Sequence, residues 1–306
     1  MPEQYTEPEL LRARTRDRGA FLFLAPALIF LLVFLLYPVL WIAMVSTTRY
    51  DPVTATARGL TLAHYRDVLA SPAAWRSILN TAYFSVVYIP LTLFTAGVIA
   101  WLLVRQVRAG SLLRAVFCSP CVIPTVAAAL IWRAAYAPFT GSIDRLLQTF
   151  GFEHGSGWPG WLGEPYLAMP CIALMCVWRD TGFFAIILLS ALTRVPGESY
   201  ELARIDGATK RQQFTNVTLP MCSGTLGLYL IMLLINVQSV FQEIYVMTED
   251  GGPANWTLNV SFLVYRKAYL DRDWSQAAAL SMVLFAVTAV VILIQNRILD
   301  RRLDWS

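Results

Sequence analysis

Charge is what this sequence has least of. Only 14% of its 306 residues are Asp, Glu, Lys or Arg, and 57% are hydrophobic, where soluble domains carry about 25% charged residues. That composition argues against a soluble single-core enzyme. Lysine is nearly missing, since Lys210 and Lys267 are the only two, and they follow Thr209 and Arg266. A phosphate-cradling loop ends in Gly-Lys-Ser or Gly-Lys-Thr, so neither lysine can belong to one. The chain is not expected to bind ATP itself. Histidine is equally scarce: His64 and His154 both fall in loops, and no Ser or Cys sits in a nucleophile elbow. Intramembrane hydrolysis or group transfer is not expected, and no catalytic residue is assigned. The five cysteines, Cys118, Cys121, Cys171, Cys176 and Cys222, lie in or beside apolar runs without a His or carboxylate cluster. Neither a metal site nor a disulfide framework is implied. Cys118 and Cys121 have C-x-x-C spacing, but inside a hydrophobic span they read as small packing residues. The net charge of +4 is too mild and dispersed for a nucleic-acid surface.

What the sequence does contain is apolar runs of membrane-crossing length. Six candidate helices cover about residues 20–45, 80–104, 112–135, 167–192, 221–246 and 277–298. Residues 1–19 and 299–306 are read as short tails, and residues 20–298 as one transmembrane domain without linkers or internal repeats. The first apolar run is much longer than the core of a signal peptide, so it should remain as an anchor. An even number of spans puts both termini on one side. The termini and the loops after spans two and four, with Arg114 and Arg297 at span ends, hold 14 of the 24 basic residues, which places that side in the cytoplasm. The expected class is an all-α polytopic membrane protein.

Two outward loops carry structure of their own. Ile143, Leu146, Leu147 and Phe150 recur at helical spacing after Ser142, and Gly151 stops the pattern. Trp158, Pro159 and Trp161 then suit an interfacial aromatic belt. In the fifth loop a turn signal, Glu249-Asp250-Gly251-Gly252-Pro253, precedes Leu258, Phe262, Tyr265 and Tyr269 at near-helical spacing. A second external helix, able to cover a pathway, is expected there.

The most informative segment is the fourth loop, residues 194–220. A short helix should begin after Pro196, with Glu198 and Glu201 toward its positive end and Gly207 stopping it. Thr209 and Gln212 have capping-box spacing, so a second helix should follow at once. Tyr200, Ala203 and Gly207 share a face whose small residues permit close approach. This elbow reads as a docking knob. Its spacing resembles the EAA loop of ABC importer permeases: Glu-Ala-Ala, three residues, Gly, nine residues, Ile, one residue, Leu-Pro. Glu201, Ala203, Gly207, Leu219 and Pro220 are in register, while Leu202 stands for the first Ala and Val217 for Ile. The resemblance implies that Tyr200, Glu201, Leu202, Ala203, Arg204, Asp206, Gly207 and Pro220 contact an ATPase.

Other stretches resemble the carbohydrate and glycerol-phosphate branch of that family, the maltose-type permeases. They include Pro120, Ile123-Pro124, Trp132-Arg133, Pro138, Gly141 and Asp144, then Phe241, Ile244-Tyr245-Val246, Thr248, Gly251-Gly252-Pro253, Thr257, Tyr265 and Ala277-Ala278. The resemblance implies a type I importer permease of the bacterial cytoplasmic membrane. Its implied partners are a second homologous permease, a dimer of ABC ATPases that hold ATP and Mg, an extracytoplasmic solute-binding protein and membrane lipid.

Polar residues inside spans mark a pathway or a helix contact. Arg179 and Asp180 fall near the middle of span four and, being about 100° apart on a helix, need not pair with each other. Arg133, near the outer end of span three, can snorkel. Span five has the densest polar set. Asn236, Ser239 and Glu243 form one stripe, and Gln238, Gln242 and Tyr245 another, suited to a sugar or polyol because amides both donate and accept. Asn80 and Tyr83 in span two are further candidates. The competing function is an ion-coupled secondary transporter in which Arg179, Asp180 and Glu243 gate or move protons.

Overall fold

The structure is a computed structural model that describes residues 23–105, 110–152, 155, 158–249 and 251–303. The N-terminal tail with the expected start of span one, together with His154, Asp250 and residues 304–306, lies outside the described residues. Among the described residues, four unbroken helices are long and apolar enough to cross a membrane, and two bent pairs raise the number of candidate crossings to six.

The described residues begin with α1 (Phe23–Ser46), which faces outward along most of its length. A hairpin not anticipated from the sequence follows, β1 (Thr48–Asp51) with β2 (Thr56–Leu60), and then the short α2 (Ala63–Ala70). Span two is α3 (Pro72–Arg105), which starts at a proline free of helical obligations at its first turn and runs longer than expected. It packs along α7 (Pro165–Leu192), the most buried of the long helices. Small residues allow the close approach: Ala96 and Ala100 on α3, Ala173 and Ala185 on α7 are all fully buried beside Phe84, Tyr88, Ile172 and Phe184. Lipid tails are as apolar as these side chains, so tight packing rather than a hydrophobic drive holds such helices together.

Span three is not one helix, contrary to the expectation of an unbroken run over 112–135. It consists of α4 (Gly110–Val122) and α5 (Thr125–Ala135), bent by 93° at Ile123-Pro124. Pro124 lacks an N–H and pushes Ile123 out of helical geometry, which is sufficient reason for the break. Helix α4 lies against α7 so closely that a Cβ on Gly182 would stand 2.0 Å from the Phe117 carbonyl oxygen. The external helix α6 (Ser142–Thr149) forms where the spacing placed it. Trp161 differs from the expected belt residue, because its Nε1 donates to the buried Asp144 (2.6 Å) while the Phe139 N–H donates to the other carboxylate oxygen (2.7 Å). It closes a loop instead of only facing headgroups.

After the elbow helices α8 (Gly197–Ile205) and α9 (Lys210–Met221), the chain bends by 70° into α10 (Ser223–Ser239). The expected unbroken span over 221–246 is interrupted at Val240 and Phe241, and α11 (Gln242–Thr248) follows. No Gly or Pro marks this break. Its freed carbonyls find partners in the external segment: Asn259 Nδ2 donates to Val240 and Ser261 Oγ to Gln238. Backbone groups at membrane depth require such satisfaction. Asn259 also caps α12 (Val260–Tyr265), its Oδ1 accepting from Phe262 N at 2.8 Å. The last crossing, α13 (Trp274–Leu303), packs on the second half of α1.

Candidate solute pathway and coupling elbow

The structure separates the polar residues of the spans into a shielded interior group and a group left at the surface. At the centre of the first is Arg179 on α7. Its Nε and Nη2 donate to the two carboxylate oxygens of Asp180 (2.7 and 3.2 Å), and its Nη1 donates to Glu243 on α11 (2.7 Å) and to Thr125 on α5 (3.1 Å). Contrary to the expectation from their angular separation, the neighbours Arg179 and Asp180 do pair, because the long guanidinium stem folds back along its own helix. Tyr88 on α3 donates to Asp180 Oδ2 at 2.7 Å, and Asn236 lies against that hydroxyl. Side-chain exposures of 14% for Arg179, 13% for Asp180 and 5% for Glu243 make this a shielded cluster. Buried charges persist when paired and hydrogen-bonded; here the three charges on α7 and α11 pair with each other and take hydroxyl partners from α3 and α5, and only Glu243 Oε2 is left without one.

Asn80 also proves to be occupied within the fold. Its amide donates to the carbonyls of Asn255 and Leu258, both at 2.9 Å, while the neighbouring Thr81 hydroxyl accepts from Val260 N at 3.1 Å. These bonds fasten the end of α3 to the loop between α11 and α12. Arg133 donates to Glu249 (2.5 Å) and to the Val246 carbonyl (2.9 Å), an exposed clasp at the other end of α11. Tyr83 is exposed and makes no part of the interior cluster.

The break at Val240 and Phe241 overturns the two continuous stripes read along span five, since non-helical backbone between α10 and α11 breaks the helical register that defined them. Gln238 and Ser239 line a cleft of about 410 Å³ together with Ser261, Ser281, Thr288 and Phe285. The hydroxyls of Ser239, Ser281 and Thr288 donate to carbonyls four residues back on their own helices, so toward the cleft they offer lone pairs. Gln242 and Tyr245 are exposed on α11. Tyr245 belongs to an aromatic group in which Phe241, Phe262 and Tyr265 stand 4.8 to 6.2 Å apart between ring centres. Amides beside ring faces can both hydrogen-bond a hydroxyl-rich molecule and cover its apolar faces.

In the elbow, Gly207 has φ +78° and ends α8 as expected, with Ala208 N bonding back to Ala203 O at 2.9 Å. The capping box at Thr209 and Gln212 is present in both directions. Tyr200 hydrogen-bonds Thr218 at 2.8 Å and Ala203 is half-buried, so this face of α8 turns toward α9. Glu201, Leu202, Arg204, Ile205 and Asp206 stay exposed, and the bare Leu202 and Ile205, at 63% and 81%, form an apolar tip. Pro220 is exposed near the 70° bend. Sequence reasoning passed over Tyr88, Thr125, Asn259 and Ser261, which sit in helices or loops without any local signal and acquire partners only in the fold.

Known proteins resemble this arrangement over nearly its whole length. The chain is 31% identical to the lactose transport system permease protein LacF of Rhizobium radiobacter over 92% of this chain and 94% of that one. It is 30% identical to the trehalose/maltose transport system permease protein MalF of Thermococcus litoralis, over 87% and 88% respectively. Its fold matches a chain in the crystal structure of a bacterial ABC transporter involved in the import of the acidic polysaccharide alginate, with TM-score 0.79 and 23% identity over 95% of this chain and 98% of that one. Residues 89–305 match the model of one transport family. The protein is accordingly a member of the binding-protein-dependent transport system inner membrane components.

Proposed function

We propose that this chain is one permease subunit of an ATP-driven importer that moves a neutral sugar or related polyol across the bacterial cytoplasmic membrane by alternating access. The observation that carries the sugar reading is the surface beyond the break in span five. There Gln242 and Tyr245 remain exposed on a membrane-embedded chain, next to the cleft lined by Gln238 and Ser239. Exposed polar side chains at such depth suit a water-filled passage shared with a second permease. The relatives named as lactose and trehalose/maltose permeases support the same substrate class.

A glycerol-phosphate-type solute would require free positive charge on the passage. Arg179 is held by two carboxylates within the chain, which favours an uncharged solute. The ion-coupled alternative is disfavoured by the family match and by relatives that are permease proteins of sugar transport systems. The elbow tip of Leu202 and Ile205 would seat in an ATPase dimer that carries ATP and Mg, and a solute-binding protein would deliver from outside. Under this reading both termini and the elbow are cytoplasmic.

Uptake by the reconstituted complex, measured over oligosaccharides and glycerol phosphate diesters, tests the substrate class. Neutral oligosaccharides should be taken up with ATP, and Gln242→Ala should slow them while leaving assembly intact. Preference for the phosphate-bearing solutes would overturn the reading. Cysteine labels at Ala109 and in the elbow should react only from the cytoplasmic face, and labels at Ser156 and Ala254 only from outside.

A further inference from the structure

The hairpin after α1 holds an arrangement outside both the interior charge cluster and the cleft beside span five. Arg49 and Arg58 are directly opposed across its two strands, so their side chains leave the same face of the ribbon. Two like charges at such a position destabilise a strand pair unless something lies between them. Among the described residues neither guanidinium is in an ion pair. Asp51, the acidic residue of the hairpin, is engaged in its own turn, accepting from Val53 N and Thr54 Oγ1 at 2.9 Å each. Those donors hold its carboxyl below the usual range, with Arg58 acting on it only weakly from a distance. The two arginines line a shallow pocket of about 270 Å³ with Gly59, Leu60 and Thr61.

The location says what could fill it. The hairpin starts two residues after the end of α1, and Ser275 in the first turn of α13 fixes it by accepting from Tyr50 N (3.0 Å) and donating to Thr48 O (2.9 Å). It therefore sits where two crossings leave the hydrocarbon. Trp41, Tyr50 and Trp274 are in ring contact there, the aromatic signature of a headgroup layer. Val53, Leu60 and Leu62 project from the hairpin and the link after it at 86%, 87% and 70% exposure, which suits acyl chains better than water.

We propose that Arg49 and Arg58 form a clamp for the phosphodiester headgroup of an anionic membrane lipid, with the neighbouring apolar side chains against its acyl region. Guanidinium forks match phosphate oxygens in geometry as well as charge. The clamp would anchor the hairpin, and through Ser275 the start of α13, to the leaflet opposite the elbow, because three crossings separate the two.

The test is native mass spectrometry of the purified, delipidated permease complex titrated with phosphatidylglycerol. The complex should bind this lipid about thirtyfold more tightly than the Arg49→Gln/Arg58→Gln variant, from about one kcal/mol per arginine near a membrane surface. The Arg49→Lys/Arg58→Lys variant, which keeps both charges but not the forks, should fall between the two, which shows that the folded hairpin rather than its loss is being read. Equal lipid binding by wild type and the Gln variant overturns the proposal. So does unchanged lipid binding with weakened attachment of the solute-binding protein, which would make the arginines a protein contact.

Discussion

Two arginine–glutamate pairs hold the seven-residue helix Gln242–Thr248, one at each end, and they differ in almost every physical respect. Arg179 and Glu243 are shielded, share the cluster with Asp180, Thr125 and Tyr88, and connect four helices. Arg133 and Glu249 have a short contact but side-chain exposures of 45% and 71%. Water screens the second pair, so its contribution is small whatever its length. In the first, each charge depends on its partners because none has water to return to. The lesson is that distance alone ranks these pairs in the wrong order. The helix is thereby fixed at its inner end and only steadied at its outer end.

The sharpest way to break this contrast is Arg179→Met, which strands two carboxylates in the interior. It should cost about 3 to 5 kcal/mol, read as lost thermal stability or lost insertion of the complex. Arg179→Met combined with Glu243→Leu and Asp180→Asn should recover part of that loss. A single Arg179→Met as stable as wild type would mean that the cluster is wetter than its burial indicates.

Next in size is Asn259→Ala, which removes the cap of α12 and the donor to the Val240 carbonyl together. A loss of about 1 to 3 kcal/mol is expected, with faster hydrogen exchange at the Val240–Phe241 break. Protection unchanged at the break would show that Asn259 supports only α12.

The elbow extends the comparison to function. Glu201→Lys changes a fully solvated charge, so stability should move by less than about 0.5 kcal/mol, yet ATP-driven uptake should be lost. A Cβ at position 207 meets nothing within 4 Å, but the positive φ makes Gly207→Leu cost about 1 to 2 kcal/mol and should misplace the tip with the same outcome. Normal uptake in both variants would remove the docking role. Smallest of all, Arg133→Gln should lower stability by less than about 1 kcal/mol and show strong salt dependence in the wild-type comparison. A loss as large as that of Arg179→Met would collapse the distinction between the two ends.

Much of this protein follows from local sequence. Apolar runs dictate that helices cross a membrane, since a backbone in hydrocarbon must bond within itself. Pro196, Gly207 and the Thr209 to Gln212 spacing dictate the elbow through backbone geometry confined to a few residues. Ile123-Pro124 carries the physical cause of a break, although the length of the apolar run concealed it. The rest depends on residues brought together from distant segments. The break at Val240 has no Gly or Pro to announce it and persists because Asn259 and Ser261 take up its carbonyls from some twenty residues away. Asn80 looks like a solute ligand in a one-dimensional reading, and becomes a fastener once Asn255 and Leu258 present their carbonyls to it. Arg179 could have faced a passage or a partner. Its pairing with Glu243 was decided only by the tertiary structure, because the free energy of a buried charge depends on what surrounds it and not on its neighbours in the chain.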